Sequence, residues 1–215
     1  MDLGESIVKN ISWIATMKQQ GGYGGPVIHY WQDCLNYIGP SIDWRYEGLI
    51  NAYVNLYKKT NNSKFIELAI SCGDDIVKAQ GKNVNFLNSA FESNPNFYNG
   101  STPHESAACL GLCALVKLLK EKNLNYKKYL NAIELNLTQY HFAELYDKKS
   151  GLFRQYKSWQ VNENSKNIFV PNKMATIAEL FISLYELTGK IVYVKYAEKI
   201  GDYICKLQDR EEFFW

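Results

Sequence analysis

The chain repeats itself, and that repeat limits its fold more than any other feature. Residues 56–80, LYKKTNNSKFIELAISCGDDIVKAQ, lie without a gap over residues 184–208, LYELTGKIVYVKYAEKIGDYICKLQ, 128 positions later. Leu-Tyr, Thr, an aromatic residue, Ala, Gly-Asp, Ile, Lys and Gln all hold register. A long-period repeat of this kind restricts a chain to stacked units, each burying its apolar face on the next. The unit is a helical pair. Leu49, Tyr53, Leu56 and Tyr57 fall at three- and four-residue steps, as do Phe65, Leu68, Ala69, Ile76 and Ala79, which is the helical period. Asn61-Asn62-Ser63 supplies a short polar turn between them.

The same alternation runs through the rest. A first helix is predicted from Leu3 to Gln20, with Ile7, Ile11, Ile14 and Met17 on one face and a stop at Gly21-Gly22. Its Lys18-Gln19-Gln20 ending matches Lys78-Ala79-Gln80 and Lys206-Leu207-Gln208, so one kind of helix end is expected three times. Helix two begins near Ile42 and helix three ends at Gln80. Thr102-Pro103 opens helix four, Thr as N-cap and Pro in the first turn. Its Ala-Ala-Cys-Leu-Gly-Leu-Cys-Ala-Leu run is apolar on nearly every side, the mark of a helix buried all round. Helix five covers about Tyr126 to Tyr146, Pro171-Asn172-Lys173 opens helix six, and Thr188-Gly189 turns into helix seven, ending at Gln208. Long loops precede helices two, four and six, and loops of such length in a compact domain usually carry function.

Half-polar helices thus start near residues 3, 63, 126 and 190, and apolar ones near 42, 102 and 171. Apolar helices must sit inside amphipathic ones, because only the latter can face water. The expected fold is all-α: an α/α toroid, or curved two-layer array, of helical hairpins in one domain spanning 1–215. Repeats are expected at about 3–60, 62–122 and 125–188, with 190–215 starting another. Tetratricopeptide and HEAT periods are too short to match.

Composition narrows the function. Net charge is +2, which gives no reason to expect nucleic acid or an anionic membrane as partner. No apolar run approaches the roughly 20 residues that span a bilayer, and MDLGESIVKNISW has an acidic start with no apolar signal core. A cytoplasmic protein is expected. The five cysteines form no CxxC pair, so neither a disulfide framework nor a zinc site is expected, and no cofactor. Tyr and Trp are plentiful; they line carbohydrate grooves and also fill helix seams.

The segment Ile42-Asp43, Leu49, Tyr57, Thr60, Phe65, Ala69 resembles a stretch of the unsaturated glucuronyl and rhamnogalacturonyl hydrolases, six-hairpin α/α toroid glycosidases. There an Ile/Val-Asp pair opens an inner helix and is followed by Leu, Tyr, Thr-Gly and Tyr, then Ala. The resemblance implies a glycoside hydrolase acting on a short or uronate-bearing saccharide, with Asp43 as the acid/base that protonates an unsaturated sugar and directs water onto it. That family's ring has twelve helices and seven are read here, so a fragment, a truncated gene product, or a half-ring completed as a homo-oligomer is expected.

The long loops and the first turns of the inner helices share one end of the array, which places the candidate polar groups on one rim. Glycoside cleavage needs a proton donor and a second carboxylate acting as base or nucleophile. Asp43 is the first candidate; Glu105, with His104 beside it, is the second. Arg45 is suited to clamp a substrate carboxylate, and Trp31 and Trp44 to stack on a sugar. His29, Tyr30, Glu47 and Lys173 complete the candidate substrate-binding set. Each has a bland reading: Asp43 and Glu105 also complement a helix dipole, and His104-Glu105 also reads as a surface pair. Gly73-Asp74 and Gly201-Asp202 stand in register on outer helices and read as packing devices, His141 as structural. A sugar epimerase of the same toroid class is a further enzymatic reading. Lanthionine cyclases and prenyltransferase β-subunits share the toroid but need zinc ligands, and no Cys/His set of that kind stands in this sequence. The non-enzymatic alternative is a helical-repeat scaffold or a glycan- or protein-binding module.

Overall fold

A computed structural model describes residues 2–19, 22–23, 42–80, 84, 86, 104–154 and 169–208. Among them are seven α-helices: α1 Leu3–Ala15, α2 Trp44–Thr60, α3 Ser63–Ala79, α4 His104–Glu121, α5 Lys127–Asn136, α6 Pro171–Thr188 and α7 Val192–Leu207. Two short antiparallel hairpins join them, β1 Lys18–Gln19 with β2 Gly22–Tyr23 and β3 Tyr146–Asp147 with β4 Leu152–Phe153.

The helices form two layers. α2, α4 and α6 pack side by side as the inner layer, while α3, α5 and α7 fold back on them in turn. α4 is central. Thirteen of its eighteen residues are buried, Glu105 to Cys113 without a break, as its all-round apolarity requires. α1, by contrast, has no buried residue; its Ile11 and Ile14 only flank the core. The inner helices run parallel. Asp43 meets His104 at the start of α2 and α4, and Lys117 and Lys120 of α4 reach Glu186 and the Leu187 carbonyl at the end of α6. No helix among the described residues is long and apolar enough to cross a membrane.

The repeat is visible in the backbone. α2 ends at Asn61 with φ 53°, and α6 ends at Gly189, the equivalent position, with φ 71°. Both residues take the left-handed conformation that lets a chain leave a helix and turn back. Asn62 then caps α3, its side chain accepting from the Lys64 N–H at 3.0 Å.

Two expectations need correction. The first helix stops at Ala15, five residues short of Gln20, and Lys18–Gln19 is strand instead of helix end. The hairpin is held from outside: the Tyr23 N–H donates to the Tyr46 hydroxyl at 2.7 Å, which donates to Asp75 at 3.1 Å. Lys18 reaches the same carboxylate at 3.2 Å and the Ser71 hydroxyl at 2.6 Å. Tertiary partners on α2 and α3 outweigh local helix propensity there. The second correction concerns α5. It is α-helical only to Asn136 and continues as a π-helix over Leu137–Leu145, which leads directly into the β3–β4 hairpin.

The paired glycines differ as well. A Cβ on Gly73 would lie 2.4 Å from Leu115 Cδ2 and 2.9 Å from Tyr129 Cε1, whereas one on Gly201 meets nothing within 4 Å. Only Gly73 is a packing device. Gly73→Ala is expected to destabilise by about 1–3 kcal/mol through overpacking, and Gly201→Ala to stabilise by up to about 1 kcal/mol through helix propensity. Urea denaturation of the two variants checks this, and equal effects would contradict it.

Candidate functional site

Asp43 sits at the start of α2 with extended backbone. Its Oδ1 accepts the Arg45 N–H at 2.9 Å, capping the helix, while Oδ2 accepts from the Arg45 guanidinium. The side chain is 2% exposed. This geometry follows from sequence: an Asp just before a helical run satisfies one of the helix's orphan N–H donors. The Arg45 guanidinium lies over the Trp44 ring at 4.3 Å from its centroid. His104, first residue of α4, brings Nδ1 to 3.9 Å from the same Asp43 oxygen. Two inner helices therefore place a carboxylate, a guanidinium and an imidazole together at one end of the layer.

Glu105 follows His104 in sequence yet lies in other surroundings. It is fully buried. Its two oxygens accept the Phe86 N–H at 3.0 and 2.9 Å, and the Asn136 amide donates to it at 2.6 Å. Asn136 also donates to the Val84 carbonyl at 3.0 Å, which accepts from Gln80 at 3.2 Å. The end of α3, residues 84 and 86, the first turn of α4 and the end of α5 are thus tied by one buried polar cluster. Beside it, Ser106 Oγ lies 3.1 Å from His141 Nε2, both residues fully buried. Burial holds the His141 imidazole down at about 4, against a smaller opposing pull from the Asn136 backbone. The ring stands edge-on to Tyr140 and Phe153 at 6.1 and 6.3 Å.

The remaining candidates are placed as follows. Trp44 is 49% exposed with Arg45 on one face of its ring. Arg45 donates to Asp43 through one nitrogen of its guanidinium, so a carboxylate of the chain lies against the group expected to clamp a substrate carboxylate. Glu47 lies one helical turn inward on α2, half-buried, its carboxyl pushed up by burial and secondarily by the charge of Glu179 on α6. Lys173 is partly buried in the first turn of α6, and burial lowers its ammonium. His29, Tyr30 and Trp31 lie outside the described residues, as does Thr102-Pro103. No group of three or more His, Cys, Asp or Glu among the described residues is placed to hold a metal.

Sequence reading missed Asn136 and Glu179. Asn136 gives no signal, being one polar residue on a half-polar helix. Glu179 does give one, as an acidic residue inside the mainly apolar run of α6.

No family model and no curated protein matches the sequence. Solved structures do. The fold is similar to that of the Lin0763 protein from Listeria innocua, with a TM-score of 0.57 and 18% identity over 79% of this chain and 48% of that one. It is similar to the GH76 α-mannanase BT2949 of Bacteroides thetaiotaomicron, with a TM-score of 0.56 and 13% identity over 79% and 46%. It is also similar to a D-mannose isomerase, with a TM-score of 0.52 and 15% identity over 77% and 42%. The chain therefore spans less than half the length of these proteins. The architecture is the all-α toroid type that the mannanase and the isomerase share.

His141 gives this region a pH signature. Its imidazole titrates at about 4 in the folded chain and near 6.5 when unfolded, so the unfolded state binds the extra proton between those values. Stability is expected to be fully present above pH 6.5 and to fall by on the order of 3 kcal/mol as pH drops to about 4. Denaturant melts across pH 4–7 check this against His141→Gln, which should flatten that fall. An unchanged slope in the variant would contradict the assignment.

Proposed function

We propose that the chain is a carbohydrate-active enzyme, a glycoside hydrolase acting on a short saccharide, with Asp43 and His104 as its proton-transfer pair. The observation that carries this reading is their meeting, 3.9 Å apart, where two inner helices begin. Hydrolysis of a glycosidic bond adds the oxygen of water to the anomeric carbon and expels the leaving oxygen, which must gain a proton. A carboxylate held by a guanidinium suits the base that takes the proton from water. His104, when protonated, suits the donor to the leaving oxygen. Trp44 adds an exposed aromatic face beside them, of a kind that packs on a sugar ring. The likeness in fold to a mannanase supports the carbohydrate theme.

A second reading, sugar isomerisation, draws on the same pair, because a carboxylate and a histidine also serve proton transfer at carbon. The likeness to a D-mannose isomerase favours it.

The test is chromatographic detection of released or isomerised sugar from mannose, α-mannan oligosaccharides and unsaturated uronate disaccharides, with the full chain. Asp43→Asn keeps a good N-cap and His104→Ala removes the imidazole. Each is expected to lower turnover by roughly 100-fold or more, with folding checked by circular dichroism. Undiminished turnover in a folded Asp43→Asn variant would contradict the role of Asp43. Absence of turnover with every sugar would favour a non-catalytic glycan- or protein-binding module.

A further inference from the structure

The inner faces of α2, α4 and α6 line an open cleft of about 200 Å³. That is below the ~300–1,000 Å³ of drug-sized ligand sites, a size that suits a single sugar ring. Its floor is apolar, from Leu110 and Ala114 of α4. Its walls alternate hydrogen-bonding types: Glu47 and Asn51 from α2, Lys117 from α4, and Glu179, Ser183 and Glu186 from α6. An apolar floor under convergent polar groups is the ordinary build of a small-molecule site. The C–H face of a pyranose packs on such a floor while its hydroxyls meet amide, hydroxyl and carboxylate.

The charge of the walls is uneven. Three carboxylates face a single lysine, and that lysine is paired with Glu186 at 3.0 Å. Glu47 and Glu179 are left as like charges acting on each other across the cleft, from helices on opposite sides of α4. Their placement is built into the backbone. At Gly111, an added Cβ would lie 3.0 Å from the Glu47 Cα, so the missing side chain lets α2 bring Glu47 close against α4. A cation seated between Glu47 and Glu179 relieves their repulsion, and an anion there increases it.

We infer that this inner cleft is a monosaccharide subsite that prefers an amino-bearing sugar to a neutral one and rejects a uronate, with Glu47 and Glu179 holding the ammonium and Asn51 and Ser183 the hydroxyls. The inference deepens the carbohydrate reading above and rests on it, but it concerns binding and not turnover. A failed hydrolysis assay therefore leaves it standing, and a failed binding assay leaves Asp43 and His104 untouched.

The test is titration of the ¹⁵N-labelled full chain with glucosamine, glucose and glucuronate at neutral pH, read as amide shifts and fitted for affinity. Glucosamine is expected to shift the amides of residues 47–51, 110–117 and 179–187, and to bind about tenfold more tightly than glucuronate. Glu179→Gln, at an exposed position, and Glu47→Gln should each shrink a preference of about fivefold for glucosamine over glucose to about twofold or less. Glucuronate binding as tightly as glucosamine would overturn the inference. So would glucosamine shifts lying wholly outside the cleft, an undiminished preference in both variants, or no response to any of the three sugars.

Discussion

The burial of α4, thirteen of whose eighteen residues are enclosed, is the constraint on which the rest of the structure depends. So apolar a helix needs cover, and α2, α6 and α5, with α3 in lesser contact, provide it everywhere but along the Leu110–Ala114–Lys117 line that borders the cleft. Two glycines set how closely the cover fits. Gly111 lets the α2 backbone approach at Glu47, and Gly73 on α3 lets Leu115 of α4 and Tyr129 of α5 fill the space a side chain would need. Interiors packed to crystalline density leave little freedom once such approaches are fixed. The start of α4 then has one position relative to the start of α2, and His104 stands opposite Asp43 as a result.

That position is reinforced by polar groups that burial forces to find partners. Glu105, Ser106, Asn136 and His141 are all fully buried, and a buried polar group without a hydrogen bond is costly. Glu105 meets this demand with a backbone N–H at Phe86 and the Asn136 amide. Phe86 is thereby fixed to the helix that carries His104. The junction from α5 to its π-helical continuation falls at Asn136 itself. Wider π turns inside helices are rare and recur at functional sites; here the segment carries Tyr140 and His141 into the interior.

Much of the architecture was legible because it follows from periodicity. The register between residues 56–80 and 184–208 gives the helical hairpins, and the apolarity of residues 107–115 gives the burial of α4. The sequence places Asp43 in the first turn of a helix beginning near Ile42, whereas it is the N-cap of α2, whose first helical residue is Trp44. What was not legible depends on contacts between distant residues. Lys18 leaves the helical pattern because Ser71 and Asp75 hold it, and Tyr23 pairs with it there because Tyr46 accepts its N–H. Glu105 and Asp43 look alike in sequence, both acidic and both at a helix start, yet one is enclosed by backbone and amide donors and the other faces an arginine and a histidine. Arg45 looked available to a substrate because sequence shows its charge but not that Asp43, two residues away, already meets it. Gly73 and Gly201 occupy equivalent positions and differ only in what stands opposite.

Amide hydrogen exchange read by mass spectrometry tests the central place of α4 most directly. Amides that open only by global unfolding exchange slowest, and those of loosely attached elements fastest. Peptides from residues 107–119 are expected to be the slowest in the chain and those from Leu3–Ala15, where no residue is buried, among the fastest. Exchange in α4 as rapid as in α1 would contradict an inner helix enclosed by the other layers.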